Sequence, residues 1–172
     1  MKYLTEKDNL LKSLERVITF SHSQGFSGFD PYDALNSPFI NKMDSSRLKL
    51  ALSQFLVYSP INFRNLLSIK KGLNPKGVAL FIRALCLLSK FKGSNEHENK
   101  IRSLSNWLIK NRTSGYSGAC WGYNFPWQSA LSHKSKGLPT IVTTSFVANA
   151  LLDAYEFTKN DIIGYSFNII II

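Results

Sequence analysis

The sequence predicts an all-α fold built from helical hairpins, and three observations carry that expectation. Apolar residues recur at three-to-four spacing, the stretches between them are rich in turn residues, and almost nothing alternates as a strand does. At 172 residues the chain suits one ordinary domain. A hydrophobic fraction of 44% with 13% aromatics supplies a core and argues against global disorder.

The elements follow in order. Leu10, Leu11, Leu14, Val17 and Ile18 sit at helical spacing and predict a first helix over about 6–21. The run GFSGFDPYDALNSPF then gathers glycines, prolines, aspartates and an asparagine, and reads as a loop. DSSRLKLALSQFLVYSP restarts a helix, with Asp44 or Ser45 as its cap and Pro60 past its end. A short apolar piece, INFRNLLSI, leads to NPKGVALFIRALCLLSKF. There Asn74 can cap, and Pro75 suits the first helical position because its missing N–H is not needed. A helix over about 94–110 turns Ile101, Leu104, Trp107 and Leu108 inward. The last clear helix, TIVTTSFVANALLDAYEFT, aligns Val142, Phe146, Val147, Ala150, Leu151 and Ala154, although its β-branched start leaves room for a strand.

The formal charge of +10 comes from 21 Lys and Arg against 11 Asp and Glu. The bases are scattered, with IKKG at 69–72 the tightest group, so solvated faces explain them more economically than a nucleic-acid footprint. Cys86 lies in an apolar run and reads as a core residue, while Cys120 sits among aromatics; neither forms a metal or redox motif. No cofactor motif is present: no glycine-rich phosphate loop, HExxH, CxxC or GxSxG. The charged start has no signal-like apolar region, and no apolar run approaches the ~20 residues that cross a bilayer, so a cytoplasmic location is expected.

Two loops carry the candidate site. GFSGFDPYDALNS and GYSGACWGYNFPWQS both open Gly-aromatic-Ser-Gly after a helix, 90 residues apart, or two units of about 45, a length that suits a helical-hairpin repeat. Such a repeat would set both loops on one rim. In the first, Asp30 and Asp33 are candidates for acid–base or sugar-orienting work, against the alternative that they accept backbone N–H bonds. Tyr32 and Asn36 accompany them. In the second, Trp121, Tyr123, Phe125 and Trp127 offer faces on which a sugar, an isoprenoid or a nucleobase can stack, against the alternative that they plug the core. Asn124 and Gln128 would add directional polar contacts.

The segments GFSGFDPYDALNSP and CWGYNFPWQS…LPTIVTTSFVANALLDAYE resemble signature stretches of a bacterial (α/α)-toroid family. Its fold is that of six-hairpin glycosidases and terpenoid-cyclase-like proteins, and its members are associated with surface-polysaccharide biosynthesis. The resemblance covers about 19–156. It implies that Asp30, Tyr32, Asp33, Asn36, Trp121, Tyr123, Trp127 and Gln128 face the cavity of a toroid. It also implies a carbohydrate-handling protein, with a prenyl- or terpenoid-binding protein and a non-catalytic scaffold as the rivals. A saccharide or saccharide-lipid is the expected ligand. A closed toroid needs about twice as many helices, so the chain reads as an incomplete single domain over 1–172. Its tail, 157–172, departs from the family pattern. Apolar flanks left open by such a truncation would favour self-association, and the closing NIIII adds an aggregation hazard.

Overall fold

The computed structural model describes residues 2–168. Helix α1, Lys2–Ser23, turns Leu11, Leu14 and Ile18 toward the core. Leu10 and Val17, expected on the same face, are instead 72% and 55% exposed. Each precedes an inward residue by one position, a rotation of about 100° on a helix, which carries it off the buried stripe. The helix closes where Gly25 takes φ +60° and the Phe26 N–H returns to the Ser21 carbonyl at 2.7 Å.

A single 3-10 turn, Asp33–Asn36, and the short α2, Pro38–Asn41, follow. Helix α3, Ser46–Tyr58, is capped by Ser45, whose Oγ accepts the Leu48 N–H at 3.3 Å. Helix α4, Pro75–Lys92, starts as the sequence indicates: Asn74 Oδ1 accepts the Lys76 N–H at 3.0 Å, and Pro75 takes the first position. It ends at Gly93, in the left-handed region at φ +62°. Helix α5, Glu98–Lys110, begins later than expected because 94–97 form a turn in which Ser94 Oγ accepts the Glu96 N–H.

Residues 111–140 contain one regular feature that the spacing did not announce. Strands β1, Trp127–Gln128, and β2, His133–Lys134, form an antiparallel ribbon pairing Trp127 with Lys134 and Gln128 with His133. Helix α6, Ile141–Thr158, resolves the ambiguity of the TIVTTSFV run. Thr140 caps it by accepting the Thr143 N–H at 3.1 Å, and the β-branched stretch is helical. Val142 is exposed, whereas Val147, Ala150, Leu151 and Ala154 are buried as expected.

The fold is all-α. Helix α4 packs chiefly against α6 and next against α5. Helix α7, Asp161–Asn168, docks on α6 and α5 and buries Ile163 completely, so part of the expected atypical tail belongs to the core. The run 169–172, which carries most of the aggregation hazard, lies outside the described residues. Two apolar clusters result. The larger joins α1, α4, α5, α6 and α7; the smaller holds Ala34, Leu35, Ile40, Leu56 and Ile69 beneath the first loop. Among the described residues no helix is long and apolar enough to cross a membrane.

Candidate functional site

The first loop folds around its two carboxylates. Asp30 Oδ1 accepts the Tyr32 N–H at 3.0 Å, and its Oδ2 accepts from Asn74 Nδ2 at 3.1 Å. The side chain that caps α4 therefore also holds Asp30. Asp33 is 2% exposed and has both oxygens engaged. Its Oδ1 accepts from Arg64 Nε at 2.8 Å, and its Oδ2 accepts the Asp30 N–H at 3.1 Å. Burial lifts the Asp33 carboxyl above the ordinary aspartate value, and the Arg64 guanidinium offsets part of that rise. Arg64 also donates to the Asp30 and Pro31 carbonyls, so it clamps the loop as well as pairing with it. Asp33 thus shapes the loop, and Asp30 is the carboxylate that the loop presents. Gly28 and Gly72 exchange backbone hydrogen bonds at 3.1 and 2.9 Å, which fastens the loop to the segment leading into α4.

The second loop divides its aromatics between core and cleft. Trp121, expected at the ligand, is 1% exposed; its Nε1–H goes to the Leu108 carbonyl at 2.8 Å and its backbone N–H to Thr144 Oγ1. A buried indole must place its one donor, and the Leu108 carbonyl in the last turn of α5 accepts it alongside the Asn111 N–H. Trp121 therefore ties the loop to α5 and α6, away from the cleft. The rings of Tyr123 and Phe125 stack at 5.3 Å with 23° between planes. Trp127 follows on β1.

Two adjoining cavities lie between the loops. The larger, about 650 Å³, is walled by Tyr32, Leu80, Tyr123, Phe125, Trp127 and Gln128 among others. The smaller, about 220 Å³, sets Asp33, Asn36, Lys70 and Asn124 among the rings of Phe26, Phe29 and Phe81. Asp30, Asn74, Gly77 and Phe125 line both, so they form the junction. The structure thus brings together Asp30, Tyr32, Asp33, Asn36, Tyr123, Trp127 and Gln128 from two loops 90 residues apart, and leaves Trp121 out. Gln128 is largely buried, and its amide donates to the Ser129 carbonyl at 2.7 Å.

Sequence reasoning missed Asn74, Lys70, Lys76 and Gly77 as wall residues. Asn74 and Lys76 stand in the first turn of α4, and a signal was available: a residue read as a helix cap marks a helix end, where ligand sites gather. Arg64 carried no local signal, because it meets Asp33 across 31 positions. Comparison with models of known protein families, with curated proteins and with solved structures returns no match.

Proposed function

We propose that the chain binds a saccharide in the cleft between its two loops, as a carbohydrate-handling protein of polysaccharide biosynthesis or modification. The observation that carries this reading is the composition of the junction. The Asp30 carboxylate and the Asn74 amide sit beside the stacked rings of Tyr123 and Phe125, with Trp127 further along the same wall. A sugar ring has apolar C–H faces and hydroxyl edges, so it requires an aromatic plane and directional acceptors together. Asp30 orients hydroxyls and, in a glycosidase-like reaction, is the group that moves the proton at the glycosidic oxygen. Asp33 serves as its positioning residue. The helical elements and the paired loop openings are consistent with about half of an (α/α) toroid.

The wall of the larger cavity also contains Leu50 and Leu80, which favours a second reading in which an isoprenoid chain lies on the same aromatics. The exposed Phe55 and Tyr58 of α3 and Leu87 and Phe91 of α4 support a scaffold role through self-association.

Titration calorimetry with neutral and acidic oligosaccharides, and with farnesol, tests the proposal. Saturable saccharide binding is expected to weaken about tenfold or more in Trp127→Ala, with thermal unfolding little changed. Where a bond is cleaved, Asp30→Asn is expected to lower turnover by about a hundredfold or more. Binding of farnesol alone favours the isoprenoid reading. No saturable binding of any of them, with light scattering showing a defined oligomer, favours the scaffold.

A further inference from the structure

Asn124 Oδ1, at the smaller cavity, is shut off from solvent and has no hydrogen-bond partner among the described residues. A bare buried amide oxygen is costly, and what it lacks is a donor. The carboxylates beside it are already served: Asp33 by Arg64 and the Asp30 N–H, Asp30 by the Tyr32 N–H and Asn74. The open acceptor is therefore the neutral one. Gly72 admits it, because a Cβ there would stand 2.7 Å from Asn124 Nδ2.

The same cavity has an apolar corner. Phe26 and Phe81 meet edge to face with ring centroids 5.1 Å apart, and Phe125, 3% exposed, closes the side shared with the larger cavity. Phe29 already has Arg64 and Lys71 over its ring, at 5.8 and 5.9 Å. An ammonium would add another cation to that neighbourhood, and a lone hydroxyl would press an oxygen against rings that cannot bond it. A substituent with one N–H and an apolar end satisfies the bare oxygen and the phenyl corner together. On a sugar that substituent is an acetamido group. Its acyl oxygen can accept from Asn36, which lines the cavity with no side-chain hydrogen bond among the described residues. A ring lying on Tyr123 and Phe125 has only to send this one group past the junction. The way is open at Gly77, where a Cβ would find only Asn74 Cβ within 4 Å, at 3.8 Å.

We infer that the smaller cavity receives the acetamido group of an N-acetylated sugar, with its N–H donated to Asn124 Oδ1 and its methyl against Phe26 and Phe81. This rests on the saccharide reading of the cleft and names the class of sugar it takes.

The test compares three disaccharides by titration calorimetry: cellobiose, diacetylchitobiose, which differs from it only in carrying acetamido groups for hydroxyls, and chitobiose, the free-amine form. Diacetylchitobiose is expected to bind about tenfold more tightly than either of the others, by a margin that salt does not change. In Asn124→Leu, a substitution close in size, it is expected to fall to the level of cellobiose. Thermal unfolding of that variant should be no lower than wild type, since a bare buried oxygen has gone; a purely structural amide would lose stability instead. Gly77→Leu places a side chain in the junction and a better helix former in α4, and is expected to remove the preference while the fold persists by circular dichroism. Equal binding of cellobiose and diacetylchitobiose, or a preference that survives both substitutions, overturns the inference and leaves the saccharide reading standing. Tightest binding by chitobiose overturns it in favour of an ammonium. Absence of binding by all three overturns both.

Discussion

Arg64 and Asp33 form the most consequential pair of single residues. Their side chains are 12% and 3% exposed, and the guanidinium is bonded to the carboxylate and to two loop carbonyls. Removing one member of such a pair strands a charge in a poorly hydrated place. Arg64→Ala is therefore expected to cost about 3–5 kcal/mol in urea unfolding at neutral pH. The sign of its pH dependence follows from the same charge. Without Arg64 the Asp33 carboxyl rises further above its unfolded value, so the folded variant binds a proton more readily than the unfolded chain. The difference from wild type should then narrow as the pH falls through the carboxylate range. A difference that stayed constant with pH would mean that Arg64 acts through packing alone. Nothing local in the sequence announced the pair, because its members lie 31 positions apart and contact order is invisible to periodicity.

At the scale of elements, the helices and their caps were largely legible and the loop interiors were not. Asn74 followed by Pro75 reads as a helix start on chemistry alone, and α4 starts there. The Gly-aromatic-Ser-Gly openings led to the expectation of a shared rim, and residues from both loops do meet at one cleft. Both leading glycines also take positive φ, +60° at Gly25 and +88° at Gly115. What could not be read is which way each aromatic points, since an irregular backbone has no period to assign a face. Trp121 goes inward while Tyr123 and Trp127 line the cleft. The second loop is held to the entry of α6 by an isolated bridge between Gly122 and Pro139 and by the Thr140 N–H on the Trp121 carbonyl, at 3.1 Å. A Cβ at residue 122 would fall 2.2 Å from the Leu138 carbonyl oxygen, where only backbone could yield. Gly122→Ala is thus expected to destabilise by about 1–3 kcal/mol and to loosen the aromatic wall. Equilibrium unfolding would report the first effect, and, on the proposed saccharide reading, a weakened affinity in the same variant would report the second.

For the molecule as a whole, acid sensitivity has a located source. His97, just before α5, is 6% exposed, and both its ring nitrogens lack a partner among the described residues. Burial lowers its pKa below the ordinary histidine value; Glu96 and Glu15 oppose the shift, while Lys100 and Lys92 reinforce it. The unfolded chain then takes up a proton near pH 6.5 before the folded one does. Stability should be level above about pH 7 and fall as the pH drops below about 6.5 toward the folded value. Urea midpoints at pH 7.5 and 5.5 measure this, and His97→Gln is expected to flatten the difference. The ion pair of Glu15 with Lys92 bridges α1 and α4 in the same neighbourhood, so a charged imidazole would disturb the seam between those helices.

Asn74 ties the chemistry of the cleft to the frame in a way that reaches beyond either. One end of its amide holds the first turn of α4 and the other holds Asp30, 44 positions earlier in the chain. A ligand that draws Asp30 toward itself must strain or release that amide, and a ligand that fits the standing geometry locks it. Occupancy of the cleft and fraying of α4 are therefore linked equilibria, each shifting the other by the same free energy. Amide-hydrogen exchange at Lys76 would register an empty or a filled cleft without any label on the ligand.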